Sequence, residues 1–426
     1  MYNKAYFFSE FKPQPEENQR WKLRYWMIFL GQAFSLIGSS LTQFVLMWWI
    51  TDTTGSLQKL TMAGMAALIP QAILSPIGGV IADRYNRRFV MMTADIISAL
   101  CMIILIYLFS TGQIQLWHIY VMLGIRGAMQ AFQEPAAEAS VAMLVPKSFI
   151  PRAAGLNQIV HGITLMASAP LGALAISIMP LNKTLMIDVV TAMIGIVPLI
   201  IFTIPQKLLP SEKNALANMV TDVKQGLSVI INHKGLNRLF LLLTAVVLII
   251  MPTFTFVPLL IKEHFAGGVK EVGIMEGLAG AGMIAGGILV TSIAPKRQVV
   301  WILSGLGISC LSLGLTALVP SNAFYFGVFW WLISSLSFSF ANAPMTALLQ
   351  TIIPNELQGR VLSLLNMMMG VAAPVGLLLA NPLGELLGIR WLFVVIGFVG
   401  CAVSFFGFLS PPLQKLGAAD QKIEPE

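Results

Sequence analysis

The sequence predicts an all-α membrane protein with twelve transmembrane helices in two pseudo-symmetric six-helix bundles. Of its 426 residues, 57% are hydrophobic and only 11% are charged, whereas an ordinary soluble domain is roughly 25% charged. The apolar residues are gathered into long runs, and a transmembrane helix needs about 20 of them in succession. Helices are favoured over strands because a single helix satisfies its own backbone polar groups inside a bilayer.

Twelve apolar runs set the order of the predicted spans. We expect the spans at 24–51, 60–82, 89–110, 117–138, 153–178, 184–204, 236–261, 272–294, 299–319, 323–347, 359–382 and 391–410. The predicted domains are a cytoplasmic N-terminal tail, a first bundle, a cytoplasmic linker, a second bundle and a cytoplasmic C-terminal tail, over 1–23, 24–204, 205–235, 236–410 and 411–426. Apolar residues recur at helical spacing in the linker, which predicts an amphipathic helix on the inner membrane surface; a plain linker is the alternative.

Basic residues are distributed unequally between the two sets of predicted loops. With the N-terminus inside, 20 of the 26 Lys and Arg residues fall on the cytoplasmic side, five fall outside, and Arg126 lies within a span. Cytoplasmic loops are enriched in Lys and Arg. The bias predicts that both termini are cytoplasmic, and that the net charge of +7 reflects topology and not a nucleic-acid-binding face.

The two halves of the sequence repeat each other. Residues 135–157 resemble residues 344–366, and the matched positions are Pro135 with Pro344, Pro146 with Pro354, and Arg152 with Arg360. The pair Gly78-Gly79 matches Gly286-Gly287 at the same offset of 208 or 209 residues. A shared offset over this length indicates two six-helix halves of parallel topology with a transport path between them.

The sharpest local motif is GGVIADRYNRR, which begins at Gly78 and ends the second span. Gly79 is expected to let another helix approach closely. The charged residues that follow crowd a very short loop, where they can pair with a neighbour in one conformation only. We predict a conformational latch, and a loop that only sets the topology is the alternative. The predicted latch residues are Gly79, Asp83, Arg84, Arg87, Arg88 and Glu138, the last at the inner end of the fourth span.

This loop resembles the signature loop between spans 2 and 3 of the major facilitator superfamily, although Asn86 replaces the usual glycine before the paired basic residues. The second-half copy, GGILVTSIAPKR, has Thr291 where Asp83 stands in the first half. Only the first copy is therefore expected to act as a charged latch.

Arg126 lies about nine residues into the fourth span, where an arginine is costly and indicates a functional site. The segment RGAMQ resembles a shortened form of the superfamily's fourth-span motif, whose arginine is associated with proton coupling. Asp95, Glu134 and Asp188 are the carboxylates that could serve it. A carboxylate in a low-dielectric site can load and unload a proton near neutral pH. We predict that these four residues couple protons or bind substrate; interhelical hydrogen bonding is the alternative for the carboxylates.

The segment ASAPLGA in the fifth span resembles the Gly-Pro-rich motif of antiporters in the superfamily. Pro170 and Gly172 are retained and alanines replace the other glycines. Because alanine also keeps helices close, the resemblance implies an antiporter-like kink at these two residues. An ordinary membrane proline is the alternative.

The segment over 20–56, DRYNRR and LVP…AAGLNQ together resemble bacterial macrolide-efflux-type exporters of the superfamily. The resemblance implies a non-enzymatic, proton-coupled exporter of amphiphilic small molecules, such as macrolide-like drugs, that works by alternating access in the bacterial cytoplasmic membrane. It implies no cofactor beyond the proton gradient, and the sequence contains no G-x-x-x-x-G-K-[ST] segment for an ATPase motor. We expect a monomer whose partners are the substrate, protons and the lipid bilayer, with no nucleic acid.

Two rival functions remain open at this point. The first is an exporter or flippase of a siderophore or a lysophospholipid, with drug efflux incidental. The second is a transporter-like sensor or scaffold that does not turn over, against which the retained charged loop and Arg126 argue.

Overall fold

The computed structural model describes residues 20–206, 224, 227–293, 295 and 297–416. These residues form twelve long helices and contain no strand. In chain order the helices are α1 (Arg20–Thr54), α2 (Leu57–Arg84), α3 (Arg87–Ser110), α4 (Leu116–Leu144), α5 (Ile150–Ile178), α6 (Leu181–Ile201), α7 (Lys234–Glu263), α8 (Val269–Ile293), α9 (Gln298–Leu318), α10 (Phe324–Ile352), α11 (Asn355–Leu387) and α12 (Ile389–Phe406). Short helical turns lie at Lys147–Phe149, Gly407–Leu409 and Pro411–Gln414.

Eleven helices in the described part of the chain are long and apolar enough to cross a membrane. The remaining long helix, α4, carries Arg126, Glu134 and Glu138. It packs against α2 and α3 inside the first bundle, so protein and not lipid surrounds its charged face. Polar residues of this kind are tolerated in a membrane when they face the bundle interior.

The amphipathic helix predicted within 205–235 falls mostly outside the described residues. Residues 227–232 are helical, and Ile230 is buried against the core of the second bundle.

Helices α1–α6 and α7–α12 form two bundles with the same internal packing. In the first bundle α2 packs on α4, α1 on α5 and α3 on α6; in the second, α8 packs on α10, α7 on α11 and α9 on α12. The repeated glycines agree with this symmetry. A Cβ at Gly78 would overlap the Ala131 carbonyl of α4, and a Cβ at Gly286 would lie 2.5 Å from the Leu336 carbonyl oxygen of α10. The predicted twelve-helix, two-bundle fold is confirmed.

Two helix pairs make most of the contact between the bundles, α2 with α11 and α5 with α8, and α7 makes smaller contacts with α1 and α2. We call the side of the molecule that holds the α2–α3 and α4–α5 loops the basic face, and the other side the opposite face. Both helix pairs touch near the opposite face. Thr61 Oγ1 donates to Asn381 Oδ1 over 3.0 Å, and a Cβ at Gly277 would lie 2.9 Å from Pro170 Cγ. On the same face, Lys262 Nζ of α7 lies 3.3 Å from Asp52 Oδ1 of α1.

The same helix pairs separate toward the basic face. A Cβ at Gly79 of α2, Gly155 or Gly162 of α5, Gly287 of α8 or Gly370 of α11 would have no described atom within 4 Å. These helix pairs are in contact near the opposite face and apart near the basic face, so the bundles diverge toward the basic face. In this conformation the space between the bundles opens on that face.

Candidate functional site

A polar cavity of about 180 Å³ lies inside the first bundle. Helices α1, α2, α3, α4 and α6 contribute to its wall, which carries serine and glutamine side chains as well as charges. Three of the sequence-predicted residues line it together: Asp95 from α3, Arg126 from α4 and Asp188 from α6. The fold therefore gathers one guanidinium and two carboxylates from three different helices.

Arg126 and Asp188 form a buried ion pair. Arg126 Nη2 lies 3.0 Å from Asp188 Oδ2, and the two side chains are 10% and 2% exposed. The direction of this N–H is too oblique for a hydrogen bond to Oδ2, so the contact is ionic in character. Asp188 Oδ1 accepts a 2.8 Å hydrogen bond from Ser39 Oγ of α1. The pair therefore links α4 to α6, and Ser39 extends the link to α1.

Asp95 is held by a neutral side chain. Gln32 Nε2 of α1 donates to Asp95 Oδ2 over 3.1 Å and to the Gly195 carbonyl oxygen of α6 over 3.2 Å. Gln133 Nε2 of α4 donates to Gln32 Oε1 over 2.7 Å. The carboxylate is buried. One amide, that of Gln32, therefore joins four helices around Asp95.

A second cavity, of about 100 Å³, adjoins the first toward the basic face. The two share wall residues Leu36, Gln130 and Gln133. Most of the second wall is apolar or aromatic, and its residues include Tyr25, Phe29, Met91, Val141 and Leu144. Together the cavities offer a charged inner part and an apolar outer part.

Glu134, Glu138 and His161 line the second cavity on one side. Their ligand atoms lie within 4.8 Å of one another, but Glu138 and His161 are exposed. We therefore interpret the group as an acidic patch in the cavity wall and not as a metal centre. Glu134 lies beside the Arg126 site and not inside it, and Glu138 faces the cavity in this conformation.

Arginines at the α2–α3 loop form hydrogen bonds with other residues of the first bundle. The Arg87 guanidinium, which is buried, donates to the carbonyl oxygens of Ala82 at 3.0 Å and Ala139 at 2.6 Å, and lies 3.1 Å from Asp83 Oδ1. Arg88 Nη2 donates to the Ile200 carbonyl oxygen over 2.7 Å. The Asp83 side chain is 66% exposed, so its carboxylate can form a further ion pair or hydrogen bond.

Within the predicted latch, the close helix approach lies at Gly78 and not at Gly79. Gly78 faces α4, whereas Gly79 faces open space in the described part of the structure. The expectation of close packing at Gly79 is therefore not met in this conformation, because the bundles are apart where Gly79 lies. Arg84 has an interaction partner as well, and its predicted role stays a prediction.

Pro170 and Gly172 lie where α5 meets two neighbours. A Cβ at Gly172 would lie 2.5 Å from Phe44 Cδ1 of α1, and Pro170 packs against Gly277 of α8 across the bundle interface. Helix α5 is continuous through both residues. Their position on the interface between bundles is compatible with the predicted kink, which stays a prediction.

Sequence reasoning did not single out Ser39 or Gln133, although both hold the charged residues in place. Their spacing in the sequence could have identified them, because it places polar residues on one face of each helix. These residues are Gln32, Ser35 and Ser39 in α1, and Gln130, Gln133 and Glu134 in α4. Polar residues on one face of an apolar helix indicate a face directed inward.

The family follows from comparison with known proteins. The family model described as Major Facilitator Superfamily matches residues 28–377. The chain belongs to the Major Facilitator Superfamily. Macrolide efflux protein A of Streptococcus pyogenes is 31% identical over 383 residues, which cover 90% of this chain and 94% of that protein. Multidrug efflux pump Tap of Mycobacterium tuberculosis is 20% identical over 410 residues, which cover 93% and 95%.

Solved structures agree with this fold. A POT family transporter in complex with 5-aminolevulinic acid has a TM-score of 0.71 and 12% identity, covering 91% of this chain and 96% of that one. A bacterial homologue of the iron transporter ferroportin has a TM-score of 0.67 and 16% identity, covering 93% and 99%. This facilitator is therefore a multi-pass membrane transporter of small molecules, similar to macrolide and multidrug efflux proteins.

Proposed function

We propose that this transporter exports amphiphilic small molecules, such as macrolide-like drugs, in exchange for protons. The observation that carries the proposal is the buried Arg126–Asp188 pair, with Asp95 beside it, in a cavity next to the opening between the bundles. Buried charged groups inside a membrane are costly and mark ion or substrate pathways. A carboxylate in the membrane interior can bind a proton in one conformation of the transporter and release it in another, and this release can be coupled to the binding of substrate.

The cavity lining supports the substrate class. The outer cavity presents aromatic and aliphatic walls, and the inner cavity presents charges and amides. An amphiphile can place its apolar part against Phe29 and Leu144 and its polar part toward Gln130 and Gln133, which border both cavities. The similarity to macrolide efflux proteins points to the same class.

Alternating access is the transport mechanism that we propose. The basic face, which we take to be cytoplasmic because of its excess of Lys and Arg, is the open side in this structure. Rocking of the bundles would close it and separate the opposite-face contacts of Lys262 with Asp52 and of Thr61 with Asn381. The exposed Asp83 and the unpacked Gly79 would then meet the second bundle. Arg84, Arg87, Arg88 and Glu138 complete this proposed latch.

Two substitutions test the mechanism. Arg126→Ala and Asp83→Ala should each abolish export, while both variants still reach the membrane. Arg126→Ala removes the charge that balances Asp188, and Asp83→Ala removes the latch carboxylate. Export is measured as drug accumulation in an efflux-deficient strain and as proton-gradient-dependent flux in liposomes. Wild-type export by both variants would refute the mechanism.

A substrate panel separates the rival functions in the same assays. Macrolides, siderophores and lysophospholipids are offered in turn to cells and to proteoliposomes. Efflux of macrolides supports the proposal, and exclusive transport of a siderophore or lysophospholipid replaces it with that substrate. A protein that moves none of them across a proton gradient would be a sensor or scaffold.

A further inference from the structure

We propose that Asp95 is the carboxylate that binds the exchanged proton, at Oδ1, and that Gln32 is the positioning residue that directs the proton there. The inference rests on the proposed proton-coupled export and assigns roles within the same site. It follows from the charge balance of the inner cavity and from the hydrogen-bond directions around one amide.

The charge balance distinguishes Asp95 from Asp188. Arg126 Nη2 lies 3.0 Å from Asp188, so that carboxylate has a cationic partner. The hydrogen-bond partner of Asp95 is the uncharged amide of Gln32. With both carboxylates ionised, the ionisable groups of this cavity, namely Asp95, Arg126 and Asp188, sum to a charge of −1. A buried unpaired charge is costly, and one proton on Asp95 makes the group neutral.

No other charged residue of the described cavity wall changes this balance. Helix α4 contributes Arg126 to the cavity and Glu134 to the adjoining one, and α6 contributes Asp188. Helices α1 and α2 contribute uncharged polar groups, among them Gln43 and Gln71. On the basic-face side, the adjoining cavity holds Glu134, Glu138 and His161, which lie outside the inner cavity wall.

The Gln32 amide can take one orientation only. The Gly195 carbonyl oxygen, 3.2 Å from the amide, is an acceptor and therefore requires the NH₂ group on its side. The Gln32 carbonyl oxygen then faces Gln133, whose NH₂ group donates to it over 2.7 Å. A rotated amide would set two carbonyl oxygens against each other at Gly195 and two NH₂ groups against each other at Gln133.

This orientation fixes how Asp95 can be protonated. Both NH₂ hydrogens of Gln32 are used, one toward Gly195 and one toward Asp95 Oδ2. Oδ2 accepts this N–H, and the carbonyl oxygen of a carboxylic acid is a stronger acceptor than its hydroxyl oxygen, so Oδ2 is best kept as the carbonyl oxygen. The proton therefore binds Oδ1. The N–H bond to Oδ2 is charge-assisted when Asp95 is ionised and weaker when it is protonated, so the proton changes how firmly α1 is tied to α3.

The experiment is infrared difference spectroscopy of the purified full chain in liposomes during a pH titration. A protonated carboxylic acid shows a carbonyl-stretch band that the ionised form lacks. We expect this band to disappear in Asp95→Asn, to persist in Glu134→Gln, and to reappear with an altered midpoint in Asp95→Glu. In Asp188→Asn the band should remain but with its midpoint at lower pH, because ionised Asp95 then balances the charge of Arg126. Loss of the band in Asp188→Asn or Glu134→Gln, with persistence in Asp95→Asn, would overturn the assignment.

Gln32→Leu tests the positioning role. The substitution removes the donor that stabilises ionised Asp95, so the midpoint of the band should rise by about one pH unit, a tenfold gain in proton affinity. Gln43→Leu is the matched control, because Gln43 is another α1 glutamine in the same cavity wall, and it should leave the midpoint where it is in the wild type. Equal midpoints for the two variants would overturn the role of Gln32.

The titration needs no transport, so it can be judged separately from the export proposal. An acid band that behaves as expected in a protein without proton-gradient-dependent flux would remove the export proposal and keep the proton site. Flux that depends on the gradient, with no change of the band in Asp95→Asn, would keep export and remove the site.

Discussion

Neutralising the Arg126–Asp188 pair gives a quantitative test of the charged site. At 3.0 Å and an effective dielectric constant of about 20, two unit charges attract each other by roughly 5 kcal/mol. Desolvation offsets part of this attraction, but breaking a buried pair by removing one partner still costs about 3–5 kcal/mol. We expect Arg126→Gln to lower the free energy of unfolding by that amount, because it leaves buried Asp188 without its partner. Asp188→Asn should cost less, because Asp95 can ionise and balance Arg126 in the same cavity.

The double variant separates charge balance from chemistry. With Asp95 protonated, Arg126→Gln with Asp188→Asn contains no unpaired charge in this cavity, so its free energy of unfolding should return to within about 1–2 kcal/mol of the wild type. Unfolding is followed by circular dichroism as SDS is added to protein in mild detergent micelles. Arg126→Lys, which keeps the charge, is the control. Single variants that cost less than about 1 kcal/mol and add in the double variant would refute a charged pair. Export should be absent from the double variant despite its stability.

Three further predictions concern other parts of the fold. Gly78→Val should destabilise the protein by about 1–3 kcal/mol or more, because its side chain would overlap the Ala131 carbonyl. Gly79→Val should leave the melting temperature unchanged and still reduce export. Equal melting temperatures for the two variants would contradict the packing of Gly78 against α4. Lys262→Ala should change stability by less than about 1 kcal/mol, because the pair is partly exposed; a larger loss in SDS unfolding would show that the contact holds the bundles together. Ser334→Ala should cost about 1 kcal/mol, through its lost hydrogen bond, and leave the pH dependence of flux unchanged; a shifted flux profile would count against a site confined to the first bundle.

The fold could be predicted closely from the sequence because the physical signal is repeated along the chain. Every predicted span overlaps one of the twelve helices, since long apolar runs leave few alternatives in a bilayer. Helix α4 was predictable despite its charges, because the residues around them form an apolar run of helical length. Helix ends were less predictable: α1 extends to Thr54 and α10 to Ile352, beyond the apolar runs that marked them.

The site could be predicted only in part. An arginine within a span is conspicuous in the sequence, and Arg126 lies in the cavity with two of its three candidate carboxylates. The sequence could not predict that Asp188 pairs with Arg126 and that Asp95 pairs with the neutral Gln32 amide, because this depends on which carboxylate the Arg126 guanidinium contacts in the folded bundle. The contacts of Gly79 and Glu138 depend on how the two bundles are arranged in a given conformation, and a sequence pattern does not specify that arrangement.

The internal repeat identifies the second-bundle position that corresponds to Arg126, and that position is uncharged. Arg126 is the eleventh residue of α4, and the eleventh residue of α10 is Ser334. Ser334 Oγ donates to the Ser309 carbonyl oxygen of α9 over 2.8 Å, so a neutral hydrogen bond lies in the second bundle at the position of the arginine in the first. A neutral contact does not respond to protonation, whereas the charge of the first-bundle cavity changes with a single proton. In the mechanism proposed above, a proton on Asp95 would alter the packing of the first bundle while the matched Ser334 contact of the second bundle stays the same. Such a difference between two similar halves can favour their relative rotation.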